Sequence, residues 1–150
     1  MKKIYGAFII TMLLFAAGCK QDEVIVPSTL QNNNLLGKWY LKELEIVPAN
    51  DPASSSSFTD YTSNDYFEFK AGNKATYSST LYATVFEGYY SANSATTPQA
   101  LSFKSGDLLI KYYIESIDPT NQMVLYDTVE SAAAGIPTTI LYRYTYSRIP

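Results

Sequence analysis

The chain has 150 residues, enough for one domain, and its 47% hydrophobic and 17% charged content can support a packed core rather than global disorder. It holds no histidine and a single cysteine, which excludes an intrachain disulfide and histidine-based nucleophilic triads and leaves only carboxylates for a zinc site. With 11 basic against 14 acidic residues and no long basic stripe, nucleic acid is not an expected partner.

Met1-Lys2-Lys3 is a basic start, Ile4 to Phe15 is nearly unbroken apolar sequence, and Ala16-Ala17-Gly18 supplies small residues before Cys19. That is the three-part pattern of an export signal over residues 1–18. The apolar run falls short of the roughly 20 residues that a membrane-spanning helix needs. The small residues ending in Cys19 resemble the lipobox of bacterial lipoproteins, with Ala16 where a leucine is usual. The resemblance implies that Cys19 is acylated, palmitate included, and becomes the new amino terminus. Cleavage there would remove Lys2 and Lys3, lowering 11 basic residues to 9 against 14 acids, a net of −5. Each buried methylene of an acyl chain contributes about 0.8 kcal/mol, so several chains make a lasting membrane tether. Lys20-Gln21-Asp22-Glu23 resembles the export signal of surface lipoproteins in Bacteroidetes-type bacteria; a solvated tether with incidental charge is the other reading. Residues 19–34, with three consecutive asparagines and no sustained periodicity, are expected to be a flexible tether.

The folded domain is expected over residues 35–150. Tyrosine is the compositional outlier of the whole chain, with 14 copies against seven phenylalanines and one tryptophan, and tyrosine suits a half-buried pleated surface. Gly37 to Val47 reads as a strand whose apolar face switches from Trp39 and Leu41 to Leu44 and Ile46, which predicts a bulge near Lys42 or Glu43. Pro48 to Asn64 reads as a loop, disordered or folded as a flap over one end. Tyr66-Phe67-Glu68-Phe69 and Ala75-Thr76-Tyr77 flank an Ala71-Gly72-Asn73 turn. Val85 to Ser91 is a further strand. Leu101-Ser102-Phe103 and Leu108 to Ile117 flank a turn at Lys104-Ser105-Gly106-Asp107. Asp118-Pro119-Thr120-Asn121 turns the chain into Met123 to Val129, and Ala132 to Pro137 loops into a last strand, Thr138 to Arg148. Short turns between consecutive strands imply antiparallel pairing. Eight such strands predict an all-β, antiparallel up-and-down barrel closed without edges; an open β-sandwich is the alternative.

Leu35-Leu36-Gly37-Lys38-Trp39 resembles the G-x-W motif that opens the first strand of lipocalins and of lipocalin-like lipoproteins from Bacteroidetes. The later layout is similar to theirs over most of residues 35–149, though only Gly37 and Trp39 amount to a motif. The resemblance implies structural roles: the glycine permits close packing at a closed barrel end and the tryptophan plugs it. It also implies an arginine over that tryptophan, and Arg143 and Arg148 are both candidates. Thr59-Asp60-Tyr61 spells another motif of the family but stands in the first long loop, a position that makes it coincidental.

Ile140, Tyr142, Tyr144 and Tyr146 alternate with Leu141, Arg143, Thr145 and Ser147 along the last strand. The aromatic face can line a pocket or pack as core, where each cross-strand pair contributes about 0.2–1 kcal/mol. Tyr112, Tyr126, Tyr142 and Tyr144 are the candidate ligand-facing residues. Tyr112-Tyr113 and Tyr89-Tyr90 each place one ring on either face of a strand. The carboxylate pairs Glu43 with Glu45 and Asp118 with Asp127 are the only ones to weigh for glycoside hydrolysis, and neither is embedded in an apolar run. Asp51, Asp60 and Asp65 are too dispersed for a calcium loop. No cofactor and no enzymatic activity are expected. The expected function is that of an envelope lipoprotein, anchored in the outer membrane with either periplasmic placement or display at the surface, binding a small hydrophobic or amphipathic ligand. The alternative is a structural module that meets an envelope protein or glycan through its outer face.

Overall fold

A computed structural model describes residues 33–93, 96–133 and 136–150. The expected signal segment, Cys19 and nearly all of the tether lie outside the described residues, as does the tip of the last hairpin. Nine strands follow in order: β1 (Gly37–Pro48), β2 (Ser56–Phe58), β3 (Tyr66–Phe69), β4 (Lys74–Ser79), β5 (Thr84–Asn93), β6 (Gln99–Ser105), β7 (Leu108–Asp118), β8 (Gln122–Ala133) and β9 (Ile136–Ser147). Every pairing is antiparallel, β3 to β9 follow one another in space as in sequence, β2 and β3 both pair with β1, and β9 returns to pair with β1. The sheet therefore closes as an eight-stranded up-and-down barrel, with β2 as a ninth, short strand at one edge. Closure satisfies the backbone of both would-be edge strands, which an open sandwich would leave unpaired.

β1 has three partners, with β2 against Leu44 to Ile46. Gly37 to Tyr40 pair with β3, while Tyr40 to Pro48 pair with β9. The ladder skips between Leu41 and Glu43, where Leu41 faces Tyr146 and Glu43 faces Thr145. Lys42 is thus the extra residue of a bulge, and it moves the inward phase from Trp39 and Leu41 to Leu44, as the apolar pattern required. A second skip, between Ile114 and Ser116 in β7, has no comparable signal in the sequence.

Pro48 to Asn64 is more ordered than a disordered loop. A 3-10 turn at Pro52–Ser54 leads into β2, which pairs with Leu44 to Ile46 of β1. β2 and β3 both run antiparallel to β1 and pair with successive stretches of it, as one broken strand. The last hairpin is also longer than expected: the β8–β9 ladder continues to Ala133 opposite Ile136, so most of the predicted loop is strand.

The core fills the end of the barrel where β1 begins. Leu35, Trp39, Phe67, Phe69, Leu101, Phe103, Met123, Leu125 and Tyr146 are almost wholly buried. Phe67 is its hub, with ring centroids 5.3 Å from Phe69, 5.6 Å from Phe103 and 6.1 Å from Tyr146. Such ring pairs add about 0.5–1.5 kcal/mol each beyond the area they bury. On β5, Tyr90 is 3% exposed and Tyr89 60% exposed, the one-in, one-out pattern that strand alternation dictates.

Candidate functional site

The two ends of the barrel are built differently. At the closed end the Trp39 indole N–H donates to the Leu35 carbonyl at 2.7 Å, and the Arg148 guanidinium lies 3.5 Å from the ring centroid. Arg148 also donates from Nε to the Pro119 carbonyl at 3.1 Å, and from its two terminal nitrogens to the carbonyls of Lys38 and Asn34 at 3.5 and 3.4 Å. One side chain thus ties the start of β1, the β7–β8 turn and the end of β9 together. Gly37 makes room for it. Its φ is +106°, and a Cβ there would sit 2.5 Å from an Arg148 terminal nitrogen.

Arg143, the other candidate for this position, stands on the outer wall. It is out of phase with Tyr144 and Tyr146, and it pairs with Glu45 on β1 and Glu115 beside the β7 bulge, both at 2.8 Å. Those two ion pairs raise its pKa, the hydrogen bond to Glu115 most of all.

The opposite end holds a cleft of about 390 Å³. Leu41 and Leu44 form the β1 wall, Leu108, Ile110 and Tyr112 the β7 wall, and Tyr77, Leu81 and Tyr82 the wall of β4 and its turn into β5. Tyr144 closes the back, its ring centroid 4.8 Å from that of Tyr112. The Tyr77 ring stands on Phe67 at 4.7 Å, so the floor of the cleft is the roof of the packed half. Among the exposed apolar residues, Leu81 at 84% and Phe58, Tyr82, Val85 and Leu109 at about half all belong to strands or turns at this open end.

Two carboxylates reach the cleft, and their surroundings are opposite. Asp65 accepts from the Thr62 amide and hydroxyl at 2.9 and 3.1 Å and from the Thr80 amide and hydroxyl at 2.7 and 2.8 Å. Burial alone would push its pKa up, but these four bonds outweigh it and hold the carboxyl below the usual carboxylate range. Asp65 is a latch that joins the segment before β3 to the β4–β5 turn. Asp127 has no such cradle. Its Oδ1 is shut off from solvent and takes no hydrogen bond, and burial pushes its pKa up. Tyr112 and Tyr144 feel the same environment: burial first, and then the charges of neighbouring groups, Asp127 among them, hold both phenols far above their ordinary range.

The four tyrosines proposed as ligand-facing separate into different places. Tyr112 and Tyr144 line the cleft. Tyr142 pairs with Asp127 across the β8–β9 ladder and shares the inward phase, yet lies outside the lining. Tyr126 is on the outer wall, its ring 5.4 Å from Tyr113, because β8 points Met123, Leu125 and Asp127 inward and the residues between them outward. Asp127 was legible as an interior group from that alternation, since it is in phase with two buried apolar residues. Its pairing with Asp118, weighed above for hydrolysis, does not form. Asp118 lies in the β7–β8 turn at the closed end, bound to the Thr120 amide and hydroxyl, while Asp127 is five residues along β8 from Gln122, roughly 16 Å at 3.3 Å per residue. Glu43 bonds the Ser57 hydroxyl and Glu45 bonds Arg143, both outside the cleft. Among the described residues no three His, Cys, Asp or Glu side chains gather to hold a metal ion.

No protein-family model matches the sequence, and neither does any curated protein. Two solved lipocalin structures superpose on the barrel with a TM-score of 0.47 each. One is insecticyanin from the tobacco hornworm Manduca sexta, 14% identical over 80% of this chain; the other is apocrustacyanin C2, 15% identical over 81%. The chain covers 64% of the length of each.

Proposed function

We propose that this chain is a non-catalytic envelope lipoprotein whose barrel holds a small hydrophobic or amphipathic molecule in the cleft at its open end. One observation carries the reading. The interior is divided, with one half filled by aromatic side chains and the other a cleft of about 390 Å³ walled by leucines and tyrosines, a size and chemistry typical of small-ligand sites. The outer face offers less, since its Tyr113–Tyr126 ring pair is a contact of two side chains. The anchor belongs to the same proposal: the signal pattern and Cys19 support lipidation.

Titration of the full chain with the neutral dye N-phenyl-1-naphthylamine tests the cleft. Trp39 is buried at the other end and is not the reporter; the dye's own emission is. A saturable rise that Leu44→Trp abolishes is the expected result. A rise equal in parent and variant would remove the cleft as the site. For the anchor, cells fed labelled palmitate should label the parent protein and leave Cys19→Ser unlabelled, and an unlabelled parent ends that part of the proposal.

A further inference from the structure

The polarity of the cleft is lopsided. Leucine, isoleucine and tyrosine make its walls, and the two carboxylates that reach it differ in one respect: Asp65 is fully occupied by Thr62 and Thr80, whereas Asp127 Oδ1 is buried without a partner. Asp127 is half-buried at the cleft wall, and a carboxylate beside an apolar wall is costly unless something offsets its charge. Nothing on the neighbouring strands does so. From β9 the facing groups are Tyr142 and Tyr144, from β7 Tyr112, and from β4 Tyr77. Lys111 borders the cleft, but its side chain is exposed and out of phase with Tyr112, and among the described residues no lysine or arginine forms an ion pair with Asp127.

We infer that the molecule held in the cleft carries a cationic nitrogen, an ammonium on an apolar or aromatic body, whose N–H groups complete Asp127. This rests on the binding reading above and narrows it to hydrophobic amines. Two features of the site converge on that class. The carboxylate offers a charge-assisted acceptor on an otherwise largely apolar wall, and the rings of Tyr112 and Tyr144 line the same cleft, where aromatic groups attract a cation. An anionic amphiphile such as a fatty acid meets the reverse arrangement, with its carboxylate brought toward Asp127. Burial has already pushed the Asp127 pKa up, and a bound ammonium would pull it back down, so the site gains in the complex what it lacks when empty.

The test compares two probes with one ring system, 1-naphthylmethylammonium and 1-naphthylmethanol, titrated calorimetrically into the full chain in phosphatidylcholine nanodiscs, with empty nanodiscs subtracted. The amine is expected to bind at least about tenfold more tightly than the alcohol, the scale of one hydrogen bond to a charged group. In Asp127→Asn, which keeps the shape of the side chain, and in Asp127→Leu, which keeps its bulk, that preference should fall to less than about threefold, chiefly through loss of the amine's affinity. Equal affinity for both probes in the parent overturns the amine inference and leaves the hydrophobic cleft standing. So does a loss of both probes together in the Asp127 variants, which marks a residue that only shapes the wall. If neither probe binds the parent, both the inference and the proposed function fall.

Discussion

Replacing Arg148 by lysine isolates what the guanidinium does at the closed end. Lysine keeps the charge but loses the planar stack on Trp39 and the forked set of donors. The stack, 3.5 Å from the ring centroid of a fully buried indole, contributes about 1 kcal/mol at a partly exposed site. The Nε bond to the Pro119 carbonyl at 3.1 Å contributes about 1 kcal/mol more, while the two bonds at 3.4 and 3.5 Å are long enough to add only a few tenths. A lysine ammonium can recover one of those carbonyls. We therefore expect Arg148→Lys to lower stability by about 1.5 kcal/mol and Arg148→Ala by about 2.5 kcal/mol, the difference being the recovered bond and stem contact. Urea unfolding followed by intrinsic emission measures both, because Trp39 is the only tryptophan. Its native emission should shift to the red in each variant as the ring loses its cover. A lysine variant within about 0.3 kcal/mol of the parent, with unshifted emission, would show that charge alone is at work and that the stack is ornamental.

Three further outcomes follow from the same geometry. Gly88→Ala places a methyl group against the backbone carbonyl of Lys104 across the β5–β6 ladder, where neither side can yield, so a loss of about 3 kcal/mol or failure to fold is expected in thermal melts. Asp65→Asn should weaken the latch and change the acid limb of stability. Because the folded carboxyl is held below its unfolded value, its contribution is complete above the unfolded pKa of about 3.9 and is lost as pH falls through the lower folded value. The parent's acid transition should therefore be steeper than the variant's over that window in melts at stepped pH, and coincident transitions would refute the latch. Tyr112, Tyr144 and Tyr146 have pKa values raised by burial, so the folded state keeps them neutral. Their contribution is intact below the unfolded value of about 10 and is lost as pH rises above it. The chain should then unfold in alkali in one step with these phenols ionising together in the ultraviolet difference spectrum. Gradual ionisation without unfolding would contradict their burial.

The eight strands of the barrel, the antiparallel order, the bulge in β1 and the inward phase of β9 were all legible in the sequence, because each is a local pattern. Alternation reports which face of a strand is wet, a break in phase reports an extra residue, and glycine with asparagine reports a turn. The choice between Arg143 and Arg148 could not be made that way. Arg148 lies past the end of β9, where strand phase no longer predicts direction, and it is the chain's path over the β7–β8 turn that lays it on Trp39. The β7 bulge that takes Glu115 to Arg143 was equally silent.

The division of the interior belongs to tertiary structure as well. From sequence, the tyrosines of β7 and β9 are equally suited to a filled core or a pocket wall, since both need the same apolar face. What separates them is where each ring stands along the barrel axis: Tyr146 falls among Phe67 and its neighbours in the packed half, and Tyr144, two residues earlier, lines the cleft. Residue types determine which side chains turn inward. How many of them meet at each level is set by closure of the sheet, and that number decides whether a given level is core or cleft.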